Sequence, residues 1–297
     1  MNRLLSIVLT LLIVADYCYA IPTNSRGEYL VKKLQYVSKQ HGDVSFEYIF
    51  TYNDENEIVG IEYLTLLKGC ESRTLIKRSG NKIERVDYGS DGYKIGNITY
   101  EYCVNEDGQI LSAADIDHAG GKPWKQQSDF NYDEGMLVHT EWHDYYAKNE
   151  HSKFELSDDA FHSRQFYYVD GNIISTLYTH SFSQRDNRWV CSEANPKWEN
   201  IIYSEIPNKC NLELSSIFMG YPVNYSAGEH FLFLVGWMNL RGWFLLDSFG
   251  DVDWNRMKLN YTFDDYGRPI MIQPVPDNKR DYNGSFLFDY VLEYVDE

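Results

Sequence analysis

The sequence predicts an all-β protein: an antiparallel meander of repeated hairpins curling into a barrel-like or open curved sheet, with one short helix near residues 211–219. Three observations predict this. Aromatic residues alternate with period two in several runs. One turn sequence recurs between those runs. The chain also carries 25 Tyr, 15 Phe and 7 Trp, 16% aromatic in all, and tyrosine suits a half-buried pleated surface where the ring packs and the hydroxyl meets water.

Residues 1–20 read as an export signal. Arg3 supplies the positive end, and residues 4–14 are apolar apart from Ser6 and Thr10. That run is too short for a bilayer core of about 30 Å but suits a signal peptide. Cys18-Tyr19-Ala20 places the cut after Ala20, with acylation of Cys18 as the alternative. Residues 21–297 then form a single hairpin-repeat domain, interrupted at 183–219. No later segment is long and apolar enough for a transmembrane helix.

Residues 29–37 are expected to be the first strand, although Leu30, Leu34 and Val37 also fit a helix face. In residues 45–52, Phe46, Tyr48, Phe50 and Tyr52 share a face. Tyr100 and Tyr102 continue the pattern with Ile98, and Phe286, Phe288, Tyr290, Leu292 and Tyr294 close it. The connecting turns share a form: an aromatic, then Asp or Asn, then Gly or Asn, then an aliphatic. Tyr52-Asn53 leads to Ile58, Tyr102 through Asn105 to Ile110, Tyr132-Asp133 to Met136, Tyr168 through Asp170 to Ile173, and Phe263-Asp264 to Ile270. Asn and Gly supply the positive φ of tight hairpin turns. The aromatic face is expected to form the core. A lipid face of hydroxyl-bearing tyrosines would be costly, which argues against a membrane barrel.

Two stretches depart from the pattern. Residues 183–207 read as a long loop with short strands, followed by a short helix capped by Asn211, with Leu212, Ile217 and Phe218 buried. Residues 231–246 are apolar on both faces and read as a covered strand or a hairpin turning near Asn239 to Gly242.

The net charge of −17 disfavours nucleic acid and anionic surfaces as partners. Four cysteines follow the signal: Cys70, Cys103, Cys191 and Cys210. Export permits disulfides, and Cys191–Cys210 is the preferred pair, with free buried thiols as the alternative. His139, Glu141 and His143 would project from one side of a strand. Two imidazoles and a carboxylate form a zinc-type donor set, but the polar, outward face of a hairpin is the favoured reading, because Met136, Val138 and Trp142 take the opposite side. Acidic turns such as Asn53-Asp54-Glu55 offer oxygen ligands but lack calcium-loop spacing. Trp237, Trp243 and Trp254 can stack sugars, but the first two sit in the most apolar stretch of the chain, which favours core packing. No nucleophile elbow, phosphate loop or His-Glu-x-x-His motif occurs, so no catalytic residue and no cofactor is assigned.

The Tyr-(Asn/Asp)-x-x-Gly-x-Ile units resemble the YD-type repeats of bacterial surface proteins. Together with the signal, Ile201-Ile202-Tyr203, Asn211-Leu212-Glu213-Leu214 and Tyr290-Val291-Leu292-Glu293-Tyr294, they resemble a secreted gut-bacterial family of unknown function described as having a porin-like fold. The resemblance implies an antiparallel sheet curling toward a barrel and no activity. The expected function is a non-enzymatic binding or scaffold protein of the periplasm or cell surface, with a glycan, peptide or envelope partner. A hydrolase of envelope or dietary polymers and a purely structural module are the alternatives.

Overall fold

The computed structural model describes residues 23–80, 82–95, 98–106, 109–117, 123–149, 152–170, 172–179, 182–183, 188–189, 201–219, 230–237, 243–250, 256–276 and 288–295. The export signal, Cys191, Trp254 and the turn expected at 239–242 lie outside these residues. In order, the elements are β1 (Val31–Ser38), β2 (Val44–Tyr52), β3 (Ile58–Thr65), β4 (Ser72–Ser79), β5 (Lys82–Gly89), β6 (Ile98–Val104), β7 (Ile110–Asp117), β8 (Trp124–Asp133), β9 (Met136–Tyr146), β10 (Glu155–Val169) and β11 (Asn172–Thr179). There follow β12 (Phe182–Ser183), β13 (Arg188–Trp189), β14 (Ile202–Pro207), α1 (Ser215–Met219), α2 (His230–Leu234), β15 (Phe244–Phe249), β16 (Met257–Phe263), β17 (Pro269–Pro276) and β18 (Phe288–Tyr294).

The strands form two open antiparallel sheets in meander order. One has ten strands, β14-β15-β16-β17-β18-β1-β2-β3-β4-β5; the other has six, β11-β10-β9-β8-β7-β6. The first strand lies between the last strand and β2, so the two ends of the folded chain are joined in one sheet. β12 and β13 pair separately.

Because neighbouring strands alternate in direction, each connection falls at one of two ends. At the turn end, three turns share one build. In those opened by Asn24, Asn53 and Asp264, the first residue's backbone N–H donates to the carbonyl four residues on, and its carbonyl accepts from the residue three on. Its side-chain oxygen accepts the amides two and four residues on. The fourth position has positive φ: Gly27 at 75°, Asn56 at 61° and Gly267 at 75°. This explains why Asn or Asp opens each turn and Gly or Asn comes three later. Glu134, Gly135 and Asp170 also adopt positive φ, in two-residue turns whose twist matches the strands. Each of the five expected hairpins carries a register shift before its turn: beside the aromatic at Thr51/Tyr52, Asn131/Tyr132, Tyr167/Tyr168 and Thr262/Phe263, and at Cys103/Val104 in the Tyr102 hairpin.

Tyrosine hydroxyls then tie five of the strands to the one before each. Tyr52 donates to the Val31 carbonyl at 2.6 Å, Tyr132 to Ile110 at 2.9 Å, Tyr168 to Leu137 at 2.7 Å, Tyr261 to Leu246 at 2.8 Å and Tyr294 to Pro269 at 3.0 Å. Burial raises all five hydroxyl pKa values above the ordinary tyrosine value, so these groups remain donors.

The aromatic face is the core side. Tyr48, Phe50, Tyr290 and Tyr294 are buried in one cluster with Ile110, Leu137, Phe166 and Ile173 of the six-stranded sheet and with both helices. Phe218 of α1 packs on Phe249 and Tyr290, each at 5.2 Å, and Phe233 of α2 packs on Phe166 at 6.3 Å. α2 corrects the strand or hairpin expected for 231–246. Phe231, Leu232, Phe233 and Leu234 are all buried, and an all-round apolar run fits a helix enclosed on every side as well as a covered strand. Among the described residues of that stretch, only those from Phe244 onward are strand. Asn211 does not cap α1, which starts at Ser215. Its side-chain oxygen accepts the Val31 N–H at 2.9 Å and its amide donates to the Tyr52 hydroxyl at 2.9 Å, so it holds the start of β1.

Candidate functional site

β9 presents His139, Glu141 and His143 away from the core, because Thr140 and Trp142 occupy the buried positions between them. His139 Nε2 stands 3.7 Å from Glu141 Oε1, and His139 Nδ1 lies 3.4 Å from Asn131 Nδ2. The His143 ring lies against Tyr145, centroids 6.4 Å apart. Among the described residues, no group of three His, Cys, Asp or Glu converges on a point a metal would occupy.

Cys210 is buried, with its Sγ 3.2 Å from Asn208 Oδ1 and 3.6 Å from the Leu212 carbonyl. Burial pushes its thiol well up, which makes it a poor nucleophile. Trp237 is buried as expected, under the Arg78 guanidinium at 5.4 Å. Trp243 is 56% exposed and corrects the core assignment. Just before β15, its backbone N–H donates to Asn172 Oδ1 at 2.7 Å and joins the two sheets at the turn end. The interior also holds buried Glu213 beside Ser215 and Ser216. Nothing in its local sequence distinguishes it from the many surface carboxylates.

A groove of about 590 Å³ lies on β2 to β5. Its long axis follows one cross-strand row: Thr51 opposite Gly60, Gly60 opposite Lys77, and Lys77 opposite Glu84. The next row sets Glu62 opposite Leu75. Ile61, Ile76 and Ile83 alternate with these residues and are buried, so the groove opens on the face away from the core. Gly60 makes the depression. A side chain there would begin 3.1 Å from Thr51 Cβ, and its absence lowers the floor between Thr51 and Lys77. Arg73 Nε pairs with Glu62 Oε1 at 2.5 Å along the rim. The groove thus offers adjacent cations and carboxylates over a small apolar floor, with no aromatic ring among its lining residues.

The shifted carboxylates are set as anions. Among the described residues, Glu71, Asp264 and Glu293 are held below the usual carboxylate range by hydrogen bonds and nearby cations.

No protein-family model matches the chain, and no curated protein matches it. Among solved structures, it is similar to a crystal structure of a porin-like protein from Bacteroides uniformis. The two are 12% identical with a TM-score of 0.47, over 89% of this chain and 98% of that one.

Proposed function

We propose that this chain is an exported, non-enzymatic binding protein of the bacterial cell envelope, with the Gly60 groove as its binding surface and a short peptide of mixed charge as its ligand. The observation that carries this reading is the row Thr51–Gly60–Lys77–Glu84, which sets an open position beside a cation and an anion on a sheet fixed by hydrogen bonds. Paired charges of opposite sign suit a zwitterionic backbone or side-chain pair. Glycan sites rest on exposed aromatic faces, and the groove has none. Export is supported by residues 1–20.

Titration calorimetry with short Lys/Glu-containing peptides and with neutral oligosaccharides tests the reading. Peptides are expected to bind, and Lys77→Ala and Glu84→Ala each to weaken them by up to about fivefold, since exposed charge pairs contribute up to about 1 kcal/mol. Oligosaccharide binding unaffected by these changes would overturn the peptide assignment. Turnover of a polymer would overturn the non-enzymatic one.

A further inference from the structure

The ends of the strands opposite the turns described above form the loop end, and there the chain folds back on β5. Gly89 N–H donates to the Tyr93 carbonyl and Ile95 N–H to the Asp87 carbonyl, with Tyr88 bridged to Lys94. Residues 93–95 are therefore an antiparallel stub on the outer edge of β5. The Tyr93 and Ile95 side chains face outward, 76% and 47% exposed. The stub goes no further, because β6 pairs with β7 in the other sheet. β5 is the last strand of its own sheet.

Alternation along the strand decides which backbone groups face this edge. Asp87 and Gly89 direct theirs to the stub. In an antiparallel ladder every second residue does so, and Ile83 therefore directs its N–H and C=O to the same side. The side chains alternate as well. Ile83 is buried, Lys82 and Glu84 are exposed on the outer face, and Val86 is half-buried there. Glu84 has Lys77 opposite it in β4, and Lys82 has Ser79. On the edge side of both, the next position is open. Lys82 and Glu84 also line the Gly60 groove.

We propose that the peptide assigned to the groove binds by adding a strand to β5, antiparallel to it and in line with the stub. The inference rests on the peptide reading above and gives that peptide a place, a direction and a sequence. Continuing the line of the stub sets successive peptide residues opposite Val86, Arg85, Glu84, Ile83 and Lys82. Opposite-charge and apolar cross-strand pairs stabilise such a ladder. The outer-face residues of the peptide are then Val-x-Lys-x-Glu from N- to C-terminus, and the added strand walls the groove beside Lys82 and Glu84. Main-chain pairing of this kind selects a peptide, since an oligosaccharide has no alternating row of N–H and C=O groups. The edge from Lys82 to Val86 is also short for holding two copies of the chain, because stable interfaces bury about 1,600 Å².

Titration calorimetry of the purified protein with end-capped Thr-Val-Thr-Lys-Thr-Glu-Thr tests the proposal. This peptide is expected to bind, and the same peptide with Lys and Glu exchanged to bind about tenfold more weakly. Lys82→Glu with Glu84→Lys is expected to reverse that order. N-methylation of the Thr between Lys and Glu, whose N–H faces Ile83, is expected to weaken binding about tenfold. N-methylation of the Lys, whose N–H faces away, is expected to leave it unchanged. Binding that ignores both charge order and the position of the methyl group overturns the added strand and leaves the peptide reading standing. No binding by any Lys/Glu peptide overturns both. A dimer in solution that Glu84→Lys dissolves would make the occupant a second copy and overturn the proposal. The methylated peptides leave the protein unaltered, so they decide the matter should the double variant melt early.

Discussion

The turn end and the loop end are built from the same strands but held by different chemistry. At the turn end, the turns opened by Asn24, Asn53 and Asp264 are closed by a side chain that accepts its own backbone amides, and tyrosine hydroxyls bind neighbouring strands together. Arg268 adds an ion pair to Asp264 at 2.6 Å and lies over Tyr294, Tyr266 and Tyr29 at 4.5, 5.1 and 5.5 Å. At the loop end, the connections are longer, and large apolar side chains face outward. The difference shows where order in this fold is made by local polar chemistry and where the surface remains available for a partner.

The largest expected effect breaks that contrast at Arg268. Its side chain is 8% exposed, so Arg268→Ala leaves Asp264 without its partner and empties the space among three rings. Removing one member of a partly buried, hydrogen-bonded pair costs about 3 kcal/mol, or roughly 5–10 °C of melting temperature for a chain this size. At the loop end, Arg73 makes an equally short contact with Glu62, but the guanidinium is half exposed. Arg73→Ala is expected to cost less than about 1 kcal/mol. Thermal melting of the two variants checks this, and similar losses would remove the distinction between the ends.

A smaller effect is expected from the tyrosine ladder. Tyr132→Phe and Tyr294→Phe keep the rings but leave the Ile110 and Pro269 carbonyls without these donors. Each is expected to cost about 1 kcal/mol. The two sit in different sheets, so the losses should add. Tyr93→Phe at the loop end should be silent. Urea midpoints measure all three, and losses well short of additive would show that the ladder acts as one unit rather than as separate strand-to-strand ties.

The turn end was largely legible in the sequence, and the loop end was not. The Tyr–Asn/Asp–Gly–aliphatic spacing is fixed by local geometry, so residues such as Asn53, Asp264 and Gly267 announced their turns. The turn at Asn24 has the same build, yet it went unread because no alternating strand precedes it. Long-range partners left no such trace: Asn211 reaches β1 across most of the chain, and Arg268 joins the ring beside it, Tyr266, to Tyr29 and Tyr294 from distant segments. The all-apolar stretch of α2 carried no period to separate helix from strand. The groove depends on Gly60 lying in register with Thr51 and Lys77, and register is set by the bulge beside Tyr52 rather than by any motif. His139, Glu141 and His143 share the outward side of β9, because alternation along a strand is itself written in the sequence.

The finest comparison is between two carboxylates with the same local chemistry. For Asp264, burial alone would raise the pKa, but the Arg268 backbone amide, the Arg268 guanidinium and the Tyr266 amide outweigh it and hold the carboxyl below its usual range. Glu71 is also lowered, by its own N–H and that of Gly69, but it is fully exposed. A folded-state pKa below the unfolded value of about 3.9 gives stability that is fully present above that value and lost as pH falls through the folded pKa. Asp264 should therefore contribute to the acid limb of the stability curve, and Asp264→Asn should flatten it between about pH 4 and pH 2. Solvent screening should leave Glu71→Gln superimposed on the wild type. Urea midpoints across that range decide the matter. An acid limb flattened equally by both substitutions would mean that burial beside Arg268 adds nothing to the turn, and that the two ends differ in sequence but not in strength.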